Sequence, residues 1–561
     1  MDQMKRNVVT STIKLLPLLV AAFAMLLTAT AYAAAPGITG PTFNLTAQAA
    51  YITQPDGRMV YSWGYGCNGA PSGFAQAVNG SKQMAAATCP TMQIPGPTLI
   101  VTQGQPVTVT LTNNLPAAAG NTSILFPGFQ VSSAAASPQP TSCTAPNTAP
   151  QGLLTLEAAP NCSVTYTFTA TTPGTRAYYS GTQGDLQVEM GLYGAIIVLP
   201  SSVPSVCSAG LPATNPGANL AAESHWHESD FRLAAAAYNN ANTCYDREYL
   251  FQFSEMDPNI HVQVESQINA GASSLDVATE PYHPTYFMIN GRSMPDDMDP
   301  NYSPMYPHQP YNGNPHMHPG EQVLLRIIGQ GRWQHPFHEH GNHVRILARD
   351  GNLIVTSDGQ GLAGPPLFTT TTTPGMAMDG IFYFTGRGLN WDMYGHNPAS
   401  KDTNATLGCT ADANGYNTGA PTAINYFEWC QDHNKPLEVA PFGDIGGGGP
   451  ATLPDPNILT NGPWYGGSPY LGPDATTRAT GCSNPSSVSP TQPNGLLTHC
   501  GTTGVTPPSG TLANPPSTEA GFSFMWHSHN EREITTNNVF PGGMLMMMLV
   551  DSREFVIDES N

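Results

Sequence analysis

Turn-forming residues punctuate this chain at about every fifth position, with 56 Gly and 53 Pro among 561 residues. Proline removes a backbone donor and glycine weakens a helix, so this density leaves room for short strands joined by turns and little room for long helices. Between the turns the apolar residues recur with period two. Val107, Val109 and Leu111 alternate with polar neighbours within residues 97–112, as do Val164, Tyr166 and Phe168, and then Val323, Leu325 and Ile327. Alternation of this kind marks a half-buried strand. Short apolar runs at 195–199, 249–253, 286–289, 380–384 and 544–550 read as buried strands. The fold class expected is all-β. The last run, MLMMMLV, offers soft thioether ligands for copper(I), but a strand there points its side chains to two faces, and core packing is the expectation.

Charge and the ends of the chain limit its partners. Nineteen basic residues stand against 39 acidic ones, a net charge of −20. A phosphate-tracking nucleic-acid binder needs clustered Lys and Arg, so that class is excluded. Only 10% of residues are charged and 40% are apolar, which is unlike a disordered acidic chain. Lys5, Arg6 and Lys14 precede an apolar stretch at 15–27, and Ala31-Tyr32-Ala33 supplies small residues for cleavage. The expectation is a signal peptide over 1–33 and export to a periplasm or the exterior. No later apolar run approaches the 18 or so residues of a membrane helix, so an integral membrane protein is not expected. Ten cysteines, none in a Cys-x-x-Cys pair, suit an oxidising compartment. Pairing neighbours along the chain gives 67–89, 143–162, 207–244, 409–430 and 482–500, one connectivity among many.

Strand-rich sequence falls into two regions. The expected organisation is a first β-sandwich domain over 40–203, an interdomain segment over 204–244, and a second domain over 245–400 that resumes at 518–555. Residues 401–517, rich in Gly, Pro, Asn and Thr, read as an inserted excursion stapled by Cys409, Cys430, Cys482 and Cys500.

Several segments, taken in order, carry a resemblance. They are IPGPTLIVTQGQPVTVTLTNNL (94–115), GLYGAIIVLP (191–200), FMINGRSMP (287–295), HPGEQVLLRIIGQG (318–331), ARDGN (348–352), HPFHEHGNH (335–343) and MWHSH (525–529). Together they resemble the multicopper oxidases, and the resemblance implies tandem cupredoxin-like Greek-key β-sandwich domains. It also implies four His-x-His pairs around a three-copper cluster, and a blue copper bound by a cysteine. The first-domain pairs are absent: Leu125 follows Thr122-Ser123-Ile124, and the second pair falls on Tyr179 and Gly181. In the second domain His338 and His340 match the third pair, and His527 and His529 the fourth. His335 matches a blue-copper histidine, Ser528 stands where its cysteine belongs, and the other histidine position falls at Glu533. Serine supplies no thiolate, so a blue site is not expected.

Residues i and i+2 of a strand share a face, so each surviving pair can point one way. Four imidazoles suffice for one copper, or two with open positions, and they serve zinc as well. The expected metal residues are therefore His335, His338, His340, His527 and His529, with Glu339 and His343 as supporting partners. The plainer alternative is that these histidines remain as hydrogen-bonded interior groups. His225 and His227 lie in the interdomain segment; in a homo-oligomer they could reach a neighbouring copy's site. The 294–318 loop, with Met294, Met298, Met305, His308, His316, Met317 and His318, reads as a mobile Pro-rich surface loop before it reads as a copper store. There is no Gly-x-Ser-x-Gly elbow, phosphate loop or His-Glu-x-x-His motif. Two functional classes follow. One is a copper-dependent oxidoreductase taking electrons from a small-molecule or protein donor. The other is a non-catalytic envelope, extracellular or copper-storage protein on the same scaffold.

Overall fold

The alternating segments pair into four large β-sheets, which stack two by two. The computed structural model describes residues 35–75, 88–144, 155–208, 235–317, 320–384, 410–413, 415–416, 418, 467–471, 512–513 and 520–551. In the first pair, one five-stranded sheet runs Phe74–Ala75, Gly37–Thr39, Leu99–Thr102, Tyr193–Leu199 and Gly174–Tyr179. Its partner runs Met59–Cys67, Thr42–Thr53, Pro106–Asn113, Ser163–Thr169 and Ser132–Ala135. Both sheets mix parallel and antiparallel neighbours. Val107, Val109 and Leu111 bury against Leu99, Val101, Ile196 and Val198 of the facing sheet, while Thr108 and Thr110 stay half-exposed. Each such apolar side chain removed from water contributes about 1.5–3 kcal/mol.

Two seven-stranded sheets form the second pair. One is built around Arg247–Met256, Gln322–Gly329 and Ala377–Tyr383, the other around His335–Glu339, Ala520–Ser528 and Leu545–Asp551. Phe251, Phe253, Leu325 and Ile327 meet Phe337, Trp526, Met546 and Met548 in one core. The methionine run is thus mainly packing: Met544, Met546 and Met548 are buried, and only Met547 turns to the other face.

The Gln322–Gly329 strand departs from its sequence pattern. Its alternate face, which carries Leu324, Arg326 and Ile328, is buried as well, because that face is covered by other parts of the chain, the first sandwich among them. Arg326 pairs there with Glu248 at 2.7 Å and donates to Thr175 of the first sandwich at 3.0 Å, and Thr175 in turn donates to Asp379 at 2.6 Å. Tyr193 donates to Ser254 at 2.7 Å beside them. Gly174 allows this approach: a Cβ at that position would lie 2.9 Å from the Gly351 Cα, and its φ of +111° suits glycine. The sandwiches belong to one compact unit, Ala33–Asn561.

Other expectations meet the structure unevenly. Disulfides Cys67–Cys89, Cys143–Cys162 and Cys207–Cys244 are present, whereas 409–430 and 482–500 lie outside the described residues, as do His225, His227 and His318. A helix over Pro258–Asn269, capped by the Asp257 side chain, interrupts the all-β pattern. The 294–317 segment is a surface loop only in part: Pro304, Met305 and Pro307 are exposed, but its ends are tied down. Arg292, fully buried, donates to the carbonyls of Asp296, Asp299, Pro300 and Gln309, and ties the segment down; His316 and Met317 then form a buried edge strand. Among the described residues, no helix is long and apolar enough to cross a membrane.

Candidate metal centre

Strand register brings the two histidine pairs together. His335–Glu339 runs antiparallel to Ala520–Ser528 with Phe337 opposite Ser528, His338 opposite His527 and Glu339 opposite Trp526. Directly opposite residues share a face, and faces alternate along each strand. Phe337, Glu339, Trp526 and Ser528 therefore point into the core, and His338 and His527 point out of it. The His529 N–H donates to the Pro336 carbonyl at 2.8 Å, which extends the register and puts His529 on the outer face too.

Four imidazoles crowd that face. Ring centroids of His338 lie 4.6 Å from His340, 5.6 Å from His527 and 5.0 Å from His529; His340 to His527 is 5.3 Å and His527 to His529 is 5.4 Å. His340 Nε2 and His527 Nε2 are 3.1 Å apart. His527 Nδ1 bonds the Ser528 carbonyl at 2.7 Å. A carbonyl only accepts, so Nδ1 carries the proton and Nε2 keeps its lone pair. His338 Nδ1 lies 2.7 Å from the Thr369 hydroxyl.

The electrostatics favour the neutral form of His338 and His527, the form a ligand takes. Burial, and then the charges that His340, His527 and His529 would carry, hold His338 down at about 4. Burial likewise lowers His527. Two nitrogens sharing one ion at about 2.05 Å would be about 2.9 Å apart at a right angle and about 3.4 Å at the tetrahedral angle. The 3.1 Å between His340 and His527 falls inside that span. Among the described residues no group of three His, Cys, Asp or Glu is already gathered at ligand spacing. Only the His340–His527 pair thus stands at the spacing of a shared ion, with the His338 and His529 ring centroids 5.6 and 5.4 Å from that of His527.

His335 stands apart from the four. Three residues before His338, it projects to the opposite face, where it is fully buried. Its Nδ1 lies 2.9 Å from Glu533 and its Nε2 2.9 Å from Glu255. Burial alone would lower its pKa, but the hydrogen bonds and charges of the two carboxylates outweigh that and lift it to about 9. Each of its ring nitrogens is thus engaged by a carboxylate, on the face away from the other four histidines. Ser528 also donates to Glu533, so the three positions aligned with a blue-copper site do meet, as an ion-paired cluster. Glu255 is held in turn by the N–H groups of Arg332 and Trp333 at 2.6 and 2.8 Å.

The expected supporting residues also change. Glu339 lies in the core, accepts from Thr370 at 2.7 Å, and burial lifts its carboxyl to about 8. His343 packs edge-on against Phe368 at 5.1 Å. Thr369 and the Ser528 carbonyl hold the rings instead, and only the pairing of His335–Glu339 with Thr369–Thr372 reveals the threonine. In the first sandwich, Leu125 and Tyr179 exchange backbone hydrogen bonds at 2.8 and 3.3 Å, and Gly181 abuts the Leu125 side chain. The two ligand positions lost there thus converge on an aliphatic and aromatic patch.

Residues 76–203, within the first sandwich, match the multicopper oxidase family model. The chain resembles the multicopper oxidases in its cupredoxin-like β-sheet architecture and diverges from them at Leu125, Tyr179, Gly181 and Ser528. Three solved structures are similar at low identity. A multicopper oxidase designated mgLAC is 17% identical, with 61% of this chain and 74% of that one covered and a TM-score of 0.37. The blue copper oxidase of Nitrosomonas europaea is 14% identical over 90% and 85%, with a TM-score of 0.41. The copper nitrite reductase of the same organism is 16% identical over 62% and 85%, with a TM-score of 0.35. No curated protein matches the chain by sequence.

Proposed function

We propose that this is an exported copper protein, periplasmic or extracellular, with a single reduced histidine centre made by His338, His340, His527 and His529, and that it acts as an oxidoreductase on a small-molecule or protein reductant. The observation that carries the reading is the convergence of four imidazoles on one sheet face, two of them with Nε2 atoms 3.1 Å apart. When bound, one or two copper ions would supply one-electron redox chemistry. The chain's own residues supply the rest. The Ser528 carbonyl holds the His527 proton on Nδ1. The exposed His529 leaves the face open to a reductant. His335, Glu255 and Glu533 brace the strand from below without contributing a ligand. The sandwiches at 40–203 and at 245–400 with 518–555 are, in this reading, the two domains.

A second reading, copper storage or a structural role, is favoured by one observation: the blue-copper position is filled by an ion-paired cluster, so the usual entry for electrons is closed. Elemental mass spectrometry and EPR on the full chain, before and after copper loading, test the centre. One or two coppers per chain, lost in a His338→Ala/His527→Ala variant, are expected; copper at background after loading refutes it. Turnover of phenolic or diamine reductants that disappears in His527→Ala supports the enzyme, and tight binding without turnover supports storage.

A further inference from the structure

We propose that the loop 136–144 of the first sandwich carries O-linked sugar on its exposed hydroxyls, those of Ser137, Thr141, Ser142 and Thr144. The inference rests on reading the chain as exported. Residues 132–144, SSAAASPQPTSCT, hold four Ser, two Thr and two Pro and no charged side chain. Ser and Thr interspersed with Pro is the composition of O-glycosylated segments. Between Arg58 and Glu157 only Lys82 is charged, in a chain of net charge −20. Charge therefore does little to keep this stretch of the first sandwich hydrated, and a bulky neutral glycan would.

The structure shows how the loop is presented. Ser132–Ala135 is the edge strand of its sheet, and the ladder ends where the Ala136 N–H donates to the Ser163 carbonyl at 3.0 Å. The loop is then pinned at Ser163 and Cys162, at the start of the neighbouring strand. Gln139 Nε2 donates to the Ser163 carbonyl at 2.8 Å, its Oε1 accepts from the Ser163 N–H at 2.9 Å, and Cys143 is bridged to Cys162. Around these pins Ser137, Thr141, Ser142 and Thr144 are all exposed, and their hydroxyls make no hydrogen bond among the described residues. Several hydroxyls of the adjoining sheet are engaged instead: Ser133 accepts from the Leu156 N–H at 2.9 Å, Thr112 meets Ser163 at 2.8 Å and Thr110 meets Thr165 at 3.2 Å. A transferase can thus take the loop without opening the sheet. In the transfer, made by that separate enzyme, the hydroxyl oxygen bonds the anomeric carbon of an activated sugar phosphate. The bond from that carbon to the phosphate oxygen breaks, the phosphate leaves with the electron pair, and the hydroxyl proton passes to a base on the transferase.

The test is mass spectrometry of the full chain purified from the cells that produce it. No Lys or Arg lies between Lys82 and Arg176, so the reduced chain is cut with pepsin rather than trypsin. Electron-transfer fragmentation should place sugar increments on one or more of the four hydroxyls. Alkaline β-elimination should remove them, and the variant Ser137→Ala/Thr141→Ala/Ser142→Ala/Thr144→Ala should lack them at an unchanged thermal midpoint. An intact mass equal to that of the unmodified chain from Ala34 overturns the proposal and leaves export standing. Sugar found only at other residues, or phosphate in place of sugar on these four, overturns it as well. A chain that keeps residues 1–33 overturns export, and the modification with it.

Discussion

Replacing His335 by Gln isolates the charge at the position aligned with blue copper. His335 is buried between Glu255 and Glu533, each 2.9 Å away, and its pKa stands at about 9 against 6.5 for the free side chain. That displacement corresponds to about 3 kcal/mol of stability. The group is a base whose folded pKa is raised. Its contribution is therefore complete below pH 6.5 and is lost as pH rises through 9. Removing the imidazolium strands two buried carboxylates, which costs about 3–5 kcal/mol near neutrality. Urea unfolding at intervals from pH 6 to 9.5, on both proteins with disulfides intact, gives the difference curve. Groups away from Glu255 and Glu533 titrate alike in both proteins and cancel in the difference. The gap between wild type and His335→Gln should be widest at pH 6 and narrow by about 3 kcal/mol by pH 9.5. A gap constant across that range would refute an imidazolium at His335.

Three further outcomes are expected. Glu339 is buried with its carboxyl raised to about 8, so the folded state resists ionisation and loses stability as pH rises from 4.5 to 8. Glu339→Gln should consequently raise urea stability by about 3 kcal/mol at pH 7 and have little effect at pH 4, and equal effects at both would contradict the assignment. Ser528→Cys alone should produce no intense blue absorption after copper loading, because Glu533 and the protonated His335 leave the thiolate without imidazole partners; a blue band would show that the cluster opens for metal. Trp526→Ala empties the centre of a core where the indole meets Phe251, Phe337 and Phe382, and should cost about 3–5 kcal/mol in thermal or urea unfolding. A loss below 1 kcal/mol would mean that the core collapses around the gap or was never packed on this ring.

Much of the fold was legible because two signals repeat along the chain. Turn residues bound the strands, and period-two alternation names their inward face, as at Val107, Val109 and Leu111. The histidine pairs were legible for the same reason: i and i+2 share a face wherever the strand lies. The Pro258–Asn269 helix was missed, although Asp257 and Pro258 form a start signal, because its apolar stripe is short. The second face of Gln322–Gly329 was missed because alternation reports one neighbour and this strand has two.

The limits at the site have a physical cause. Residue type and local spacing depend on the chain alone, and they place His338 with His340 and His527 with His529 in His-x-His pairs, put a serine inside the second, and mark the architecture as β. Which strands lie side by side, and in what register, depends on contacts between segments from about 30 to nearly 200 positions apart. That register set His338 against His527 and against Thr369, turned Glu339 into the core, and enclosed His335 between carboxylates from two distant segments. Ligand, brace and buried cation are the same residue type in this sequence. Burial and the partner on each ring nitrogen separate them, and only the folded chain supplies both.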